Sequence, residues 1–208
     1  RSPRAPHPPV LRAAGGAIPA SQIATECARA KAVAFDMGGT TAKICLLEDG
    51  EPQRARKFEI ARAYRDMKGS GIPVRIPVIE MVEIGAGGGS IARVDKLNRI
   101  TIGPDSAGST PGPVCYGRGG TEPAVTDANL VLGKIDPAYF AGGKIRLDEA
   151  GAKSALQKAI GTPLKLKDFW SAAGVPEIVE ENMANAARVH HLEAGPHQSP
   201  RTTISFAR

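Results

Sequence analysis

Fifteen residues, Val33-Ala34-Phe35-Asp36-Met37-Gly38-Gly39-Thr40-Thr41-Ala42-Lys43-Ile44-Cys45-Leu46-Leu47, place a carboxylate, two glycines, two hydroxyls and an amine between two apolar runs. The chemistry such a set could do is phosphate handling. Gly38 and Gly39 lack the Cβ groups that keep a polyphosphate away from backbone N–H donors, and Thr40 and Thr41 add hydroxyl donors. Asp36, where the first run ends, could hold a Mg²⁺ ion through water or orient an attacking group, and its carboxylate is poorly explained as strand filler. Lys43 faces a ligand only if strand alternation points it there. A plain Gly-Gly hairpin is the alternative reading of the same residues.

The elements that must position these groups are a strand, a tight turn and a second strand. A P-loop is excluded, because it needs Gly-x-x-x-x-Gly-Lys-Ser/Thr leading into a helix, whereas Ile44-Cys45-Leu46-Leu47 reads as strand. A β-turn-β phosphate hairpin points instead to ATPases of the actin and sugar-kinase type. A second glycine run, Gly85 to Ser90, follows Glu80-Met81-Val82-Glu83-Ile84. Gly87 and Gly88 in it are candidates for close backbone approach to a ligand; a flexible joint is the other reading.

Downstream, Ser90 to Val94 and Arg99 to Ile102 are expected to pair as a hairpin across Asp95-Lys96-Leu97-Asn98. Ile72 to Ile79 alternates toward a strand, but Pro73 and Pro77 confine it to an edge or an extended arm. Gly103 to Gly120 is too rich in Gly and Pro for regular structure, leaving Asp105, Ser106, Tyr116 and Arg118 as polar candidates. Arg118 is suited to a bidentate carboxylate or phosphate contact, or to a surface ion pair. Thr126 or Asp127 would cap the helix that follows. Asp148 caps a scaffold helix over Glu149 to Ile160, with Ala152, Ala155, Leu156 and Ala159 on one face and Gly161 ending it. Pro176 opens a last helix, Glu177 to Glu193, with Ile178, Val179, Met183, Ala186, Ala187 and Val189 as its buried stripe and Gly195 as its stop. His190 and His191 are adjacent, so they lie on different helix faces and make a poor metal pair.

Several blocks, in order along the chain, resemble the hydantoinase A/5-oxoprolinase family. They are Thr25-Glu26-Cys27 through Asp36-Met37-Gly38-Gly39-Thr40-Thr41-Ala42-Lys43, Glu83 to Ala92, Gly103 to Gly108, Pro111 to Gly120, Val125 to Leu130, and Glu181 to His190. The resemblance runs from about Gly15 to about Glu193. It implies an α/β fold: a fragment of an actin-like ATPase (ribonuclease H-like) domain with a Gly/Pro-rich inserted region. It also implies an ATP-dependent cyclic amidase that opens a hydantoin or 5-oxoproline ring, or an ATP-using subunit of an acetone or acetophenone carboxylase. ATP and Mg²⁺ are the implied cofactors; a small cyclic amide and a hydantoinase B-type subunit are the implied partners. In such chemistry phosphoryl transfer activates a substrate oxygen, which demands positioning and charge neutralisation from the protein. Within the resemblance Asp36 and Asp127 are the candidate catalytic residues, with Asp36 also the metal-linked one. Asn182 and Asn185 join Arg118 as candidate substrate or phosphate contacts, ordinary exposed asparagines being the alternative.

Family members carry two phosphate loops, and Asp36 to Thr41 matches the second, so the resemblance implies an internal fragment that does not turn over alone. A noncatalytic remnant that binds a partner subunit is the reading from a different class. Three segments are expected: a disordered, proline-rich tail over residues 1–11, a partial hydantoinase A-type domain over 12–194, and a divergent tail over 195–208.

Composition supports a soluble, cytoplasmic protein, with 42% hydrophobic residues to supply a core and no apolar run near the roughly 18 residues of a membrane span. The N-terminal residues lack the apolar stretch of roughly 7–15 residues that a signal peptide needs. Cys27, Cys45 and Cys115 show no metal or disulfide spacing and are expected to be reduced, with Cys115, beside Tyr116 in a glycine-rich loop, a candidate to lie near substrate. The net charge of +6 is spread along the chain without aromatic interleaving, which argues against a nucleic-acid partner.

Overall fold

A computed structural model describes residues 16–55, 58–60, 71–74, 77–193 and 200–207. Its first elements are α1 (Ala17–Glu26), β1 (Lys31–Met37), β2 (Ala42–Glu48), β3 (Glu51–Pro52), β4 (Arg54–Ala55), β5 (Phe58–Ile60), β6 (Ile72–Val74), β7 (Val78–Ile79) and β8 (Met81–Ile84). There follow β9 (Ser90–Val94), β10 (Ile100–Ser106), a 3₁₀ turn (Val114–Tyr116), α2 (Val125–Val131), α3 (Glu149–Leu156), a π turn (Gln157–Gly161), α4 (Thr162–Leu164), α5 (Asp168–Glu193) and β11 (Thr202–Ala207). The described residues fall into two compact units, the first containing 16–36, 43–82 and 191–206, the second 37–42, 83–190 and 207.

The first unit is a sheet of order β11-β1-β2-β3, with β8 also paired to β2. Small side chains explain how α1 lies close against it: Ala17, Ala20 and Ala24 form one helical stripe and meet Ala32, Ala34, Cys45 and Leu47 in a single apolar cluster. The β2–β3 link is Asp49-Gly50, with φ of 52° and 77°, the pair of left-handed residues that suits a two-residue hairpin. Within the proline-containing stretch β6 pairs antiparallel with β5, and β7 with β4; Pro73 stands opposite Glu59. The expected tail over 195–208 is corrected in part. Residues 202–207 form β11, whose Ile204 and Phe206 pack on the apolar cluster. Just before it, the Arg201 side chain donates to the Leu47 carbonyl (2.9 Å) and to His191 Nδ1 (3.1 Å) and pairs with Glu48. The expected tail over 1–11 and the stop at Gly195 lie outside the described residues.

In the second unit β9 and β10 form the expected hairpin, closed by Asp95 Oδ1 accepting from Leu97 N (2.8 Å) and Arg99 N (2.9 Å). The pairing continues through an irregularity to Ser106 opposite Ser90, so the Gly/Pro-rich stretch is regular for longer than its composition suggests. Both helix expectations need correction. The Asp148 carboxylate does accept from Gly151 N (3.0 Å), but Gly161 does not end the helix; the chain passes through a π turn and stops at Lys165, φ 55°. The last helix starts at Asp168 and carries Pro176 in its interior. Proline there removes one helical hydrogen bond and normally costs about 3 kcal/mol. A buried stripe of Ser171, Ala172, Val175, Pro176, Val179 and Met183 holds the helix through it, whereas Val189 is exposed.

Candidate functional site

Period-2 alternation decides what Asp36 and Lys43 face. Ala32 and Ala34 point into the α1 cluster, so Asp36 follows them on the same face of β1; Cys45 and Leu47 do so from β2, which places Lys43 there as well. Asp36, Lys43, Gly16, Ala17, Ala34, Cys45 and Met81 line one narrow cleft. Gly16 precedes the first turn of α1, and a Cβ there would stand 2.8 Å from Asp36 Cβ and 3.0 Å from its Oδ2. Only glycine lets the start of α1 approach the carboxylate this closely. The contact of Gly16 is with a residue twenty positions away, so it leaves no local signal in the sequence.

Within the second unit, the turn Gly38 to Thr41 is closed by Gly38 N donating to the Thr41 carbonyl (2.9 Å). Gly39 and Thr40 are exposed. A Cβ on Gly39 would meet nothing within 4 Å, and one on Gly38 only the Thr41 carbonyl at 3.6 Å. The fold therefore does not require glycine at either position. The N–H groups of Gly39 and Thr40 donate to no protein atom among the described residues.

The second glycine run is built differently. Gly87 N donates to Ser90 Oγ (2.9 Å), Gly88 N to the Gly38 carbonyl (3.1 Å) and Gly89 N to the Gly39 carbonyl (2.6 Å). Gly87 therefore spends its donor inside the run, and Gly88 and Gly89 spend theirs on holding the hairpin. The run is neither a second cradle with free amides nor a loose joint.

Asp127 is fully buried. Its Oδ2 accepts from Ala124 N (2.7 Å) and Val114 N (3.2 Å), and its Oδ1 from Cys115 N (2.7 Å). It sits in the third position of α2 and reaches back to the N-cap amide, while Ala124, rather than Thr126 or Asp127, is the N-cap. The carboxylate thus ties the 3₁₀ turn to the start of α2. Cys115 is buried beside it, and burial, reinforced by the Asp127 charge, pushes its thiol far up, which weighs against Cys115 as a candidate to lie near substrate. Burial likewise pushes Cys45 up to about 11. Neutral buried thiols react poorly. A thiol-reactive probe at neutral pH is expected to label exposed Cys27 in the folded chain, and Cys45 and Cys115 only after denaturation, as read by intact mass.

Arg118 is exposed, with its guanidinium carbon 6.0 Å from the centre of the Tyr116 ring. Asn182 and Asn185 are exposed on α5. No group of three metal-binding side chains occurs among the described residues, so a Mg²⁺ ion at Asp36 would take its other ligands from water and phosphate oxygens, as that ion commonly does. No helix among the described residues is long and apolar enough to cross a membrane.

A family model, hydantoinase/oxoprolinase, matches residues 13–207. The chain belongs to that family. It is 37% identical over 193 residues to the acetophenone carboxylase gamma subunit of Aromatoleum aromaticum, covering 92% of this chain and 25% of that one. The crystal structure of the ATP-dependent caprolactamase from Pseudomonas jessenii matches with a TM-score of 0.76 and 34% identity, over 92% of this chain and 27% of the other. The nucleotide-free structure of acetone carboxylase matches with a TM-score of 0.80 and 27% identity, over 94% and 26%. The chain thus shares the mixed α/β architecture of this family and spans about a quarter of the length of these relatives.

Proposed function

We propose that this chain supplies a phosphate-binding portion of an ATP-dependent enzyme that opens a cyclic amide, on a fold of the actin-like ATPase type. The observation that carries the proposal is the hairpin tip. Gly38 and Gly39 stand where the fold tolerates a Cβ, and the N–H groups of Gly39 and Thr40 meet no protein acceptor among the described residues. Glycines that packing does not require, beside unspent donors, suit close approach by an anion. Gly38, Gly39, Thr40 and Thr41 would hold phosphate oxygens. Asp36 and Lys43, which flank the tip in sequence and share one face of the first unit's sheet, would hold Mg²⁺ and neutralise charge respectively. When bound, ATP supplies the driving force that makes a resonance-stabilised amide carbonyl open to attack. The protein's part is positioning and electrostatics.

Similarity to a caprolactamase supports a lactam or related ring as substrate. Similarity to two ketone carboxylases favours a second reading, an ATP-using carboxylase subunit. Relatives named as subunits support a partner chain, for which a hydantoinase B-type subunit is proposed. Free thiols fit the cytoplasm.

Calorimetric titration of Mg-ATP into the purified chain tests the phosphate reading. Binding below about 1 mM, roughly −4 kcal/mol, is expected, and Asp36→Ala and Thr40→Ala are each expected to abolish it without loss of fold. Absence of heat from a folded sample would overturn the reading.

A further inference from the structure

The phosphate hairpin is closed by its own Gly38–Thr41 hydrogen bond and is also held from outside. Its Gly38 and Gly39 carbonyls are gripped by Gly88 N and Gly89 N, and the gripping loop is anchored in turn from the other side. The Gly88 carbonyl accepts two hydrogen bonds from one residue, Thr126 N and Thr126 Oγ1, each 2.8 Å. The Gly89 carbonyl accepts from Ala107 N (2.8 Å). Thr126 is buried, and its Oγ1 would lie 2.9 Å from a Cβ on Gly88, so the loop has no room to shift toward α2.

Resting on the phosphate reading above, we propose that Thr126 is a positioning residue for the ATP site. Its hydroxyl fixes the carbonyl of the Gly88–Gly89 peptide, whose N–H, that of Gly89, fixes the Gly39 carbonyl and so the direction in which the hairpin amides point. A peptide unit is planar, so anchoring its C=O and its N–H together leaves the loop little rotational freedom. Thr126 itself touches no phosphate. Its effect passes through two hydrogen bonds in series within one unit.

The test compares Thr126→Val, which keeps shape and loses the hydroxyl, with Thr126→Ser, which keeps the hydroxyl. Amide exchange is measured by NMR on the whole, nucleotide-free chain. In Thr126→Val the amides of Gly38, Gly88 and Gly89 are expected to exchange at least about tenfold faster, the equivalent of one lost buried hydrogen bond, with α3 amides unchanged. In Thr126→Ser they are expected to stay at wild-type rates. Mg-ATP affinity is expected to follow the same order, about tenfold weaker in Thr126→Val and restored in Thr126→Ser. Unchanged exchange in Thr126→Val, or equal loosening in Thr126→Ser, would overturn the proposal. So would wild-type Mg-ATP affinity in Thr126→Val. Should Thr126→Val not fold, Thr126→Ala carries the same comparison. If the wild-type chain binds no Mg-ATP, the phosphate reading fails while the exchange comparison still decides whether Thr126 positions the hairpin.

Discussion

Asp127→Ala is expected to destabilise the protein by about 3–5 kcal/mol, because it leaves buried amide donors unsatisfied at about 1–3 kcal/mol each. The carboxylate is 0% exposed and accepts from the backbone of Val114, Cys115 and Ala124. In a chain of this length the loss corresponds to a fall in melting temperature on the order of 10 °C. Asp127→Asn keeps the shape but turns an NH₂ toward an amide N–H, so an intermediate loss is expected. Thermal denaturation of both variants checks this. A variant with wild-type melting and lost ATP-linked activity in the complete enzyme would instead assign the carboxylate to chemistry.

The second large effect concerns two glycines that look alike in sequence. A Cβ on Gly87 would stand 2.6 Å from the Gly38 carbonyl oxygen and 2.8 Å from carbonyl carbons of Gly39 and Thr40, all of them backbone atoms that cannot rotate aside. Gly87→Ala is therefore expected to cost about 1–3 kcal/mol through overpacking and, by displacing the hairpin, to abolish Mg-ATP binding. Gly39→Ala is the contrasting case. Its Cβ meets no protein atom within 4 Å, so the fold should stay within about 0.5 kcal/mol of wild type while the methyl obstructs the hairpin amides and weakens binding. Calorimetry and denaturation on the pair separate the roles. Loss of stability in Gly39→Ala, or retention of both properties in Gly87→Ala, would contradict the assignment.

What the amino-acid sequence determined by itself was local. The β1-turn-β2 hairpin was legible because two apolar runs flank Gly38-Gly39, and the β9–β10 hairpin because Asp95 to Asn98 carries its own turn chemistry. The Asp148 cap was legible for the same reason, since its acceptor lies three residues from its donor. The family was legible because its blocks are contiguous runs. β11 also had a usable signal, the alternation of exposed Thr203 and Ser205 with half-buried Ile204 and Phe206, which the irregular residues before it obscured.

Only the tertiary structure decided matters that depend on partners far along the chain. Pro176 reads locally as a helix start, yet α5 runs through it. Its buried stripe favours continuation, and Gly174 admits Ile100 where a Cβ would come within 2.7 Å of that side chain. Asp127 reads equally as cap or catalyst until its amide donors are seen to converge from 12 and 13 residues away as well as from its own helix. Gly39 and Gly87 differ by what stands opposite them, open space for one and the hairpin backbone for the other. Residue type states which conformations a position permits; which of them is occupied, and against what, is settled by packing that local sequence does not encode.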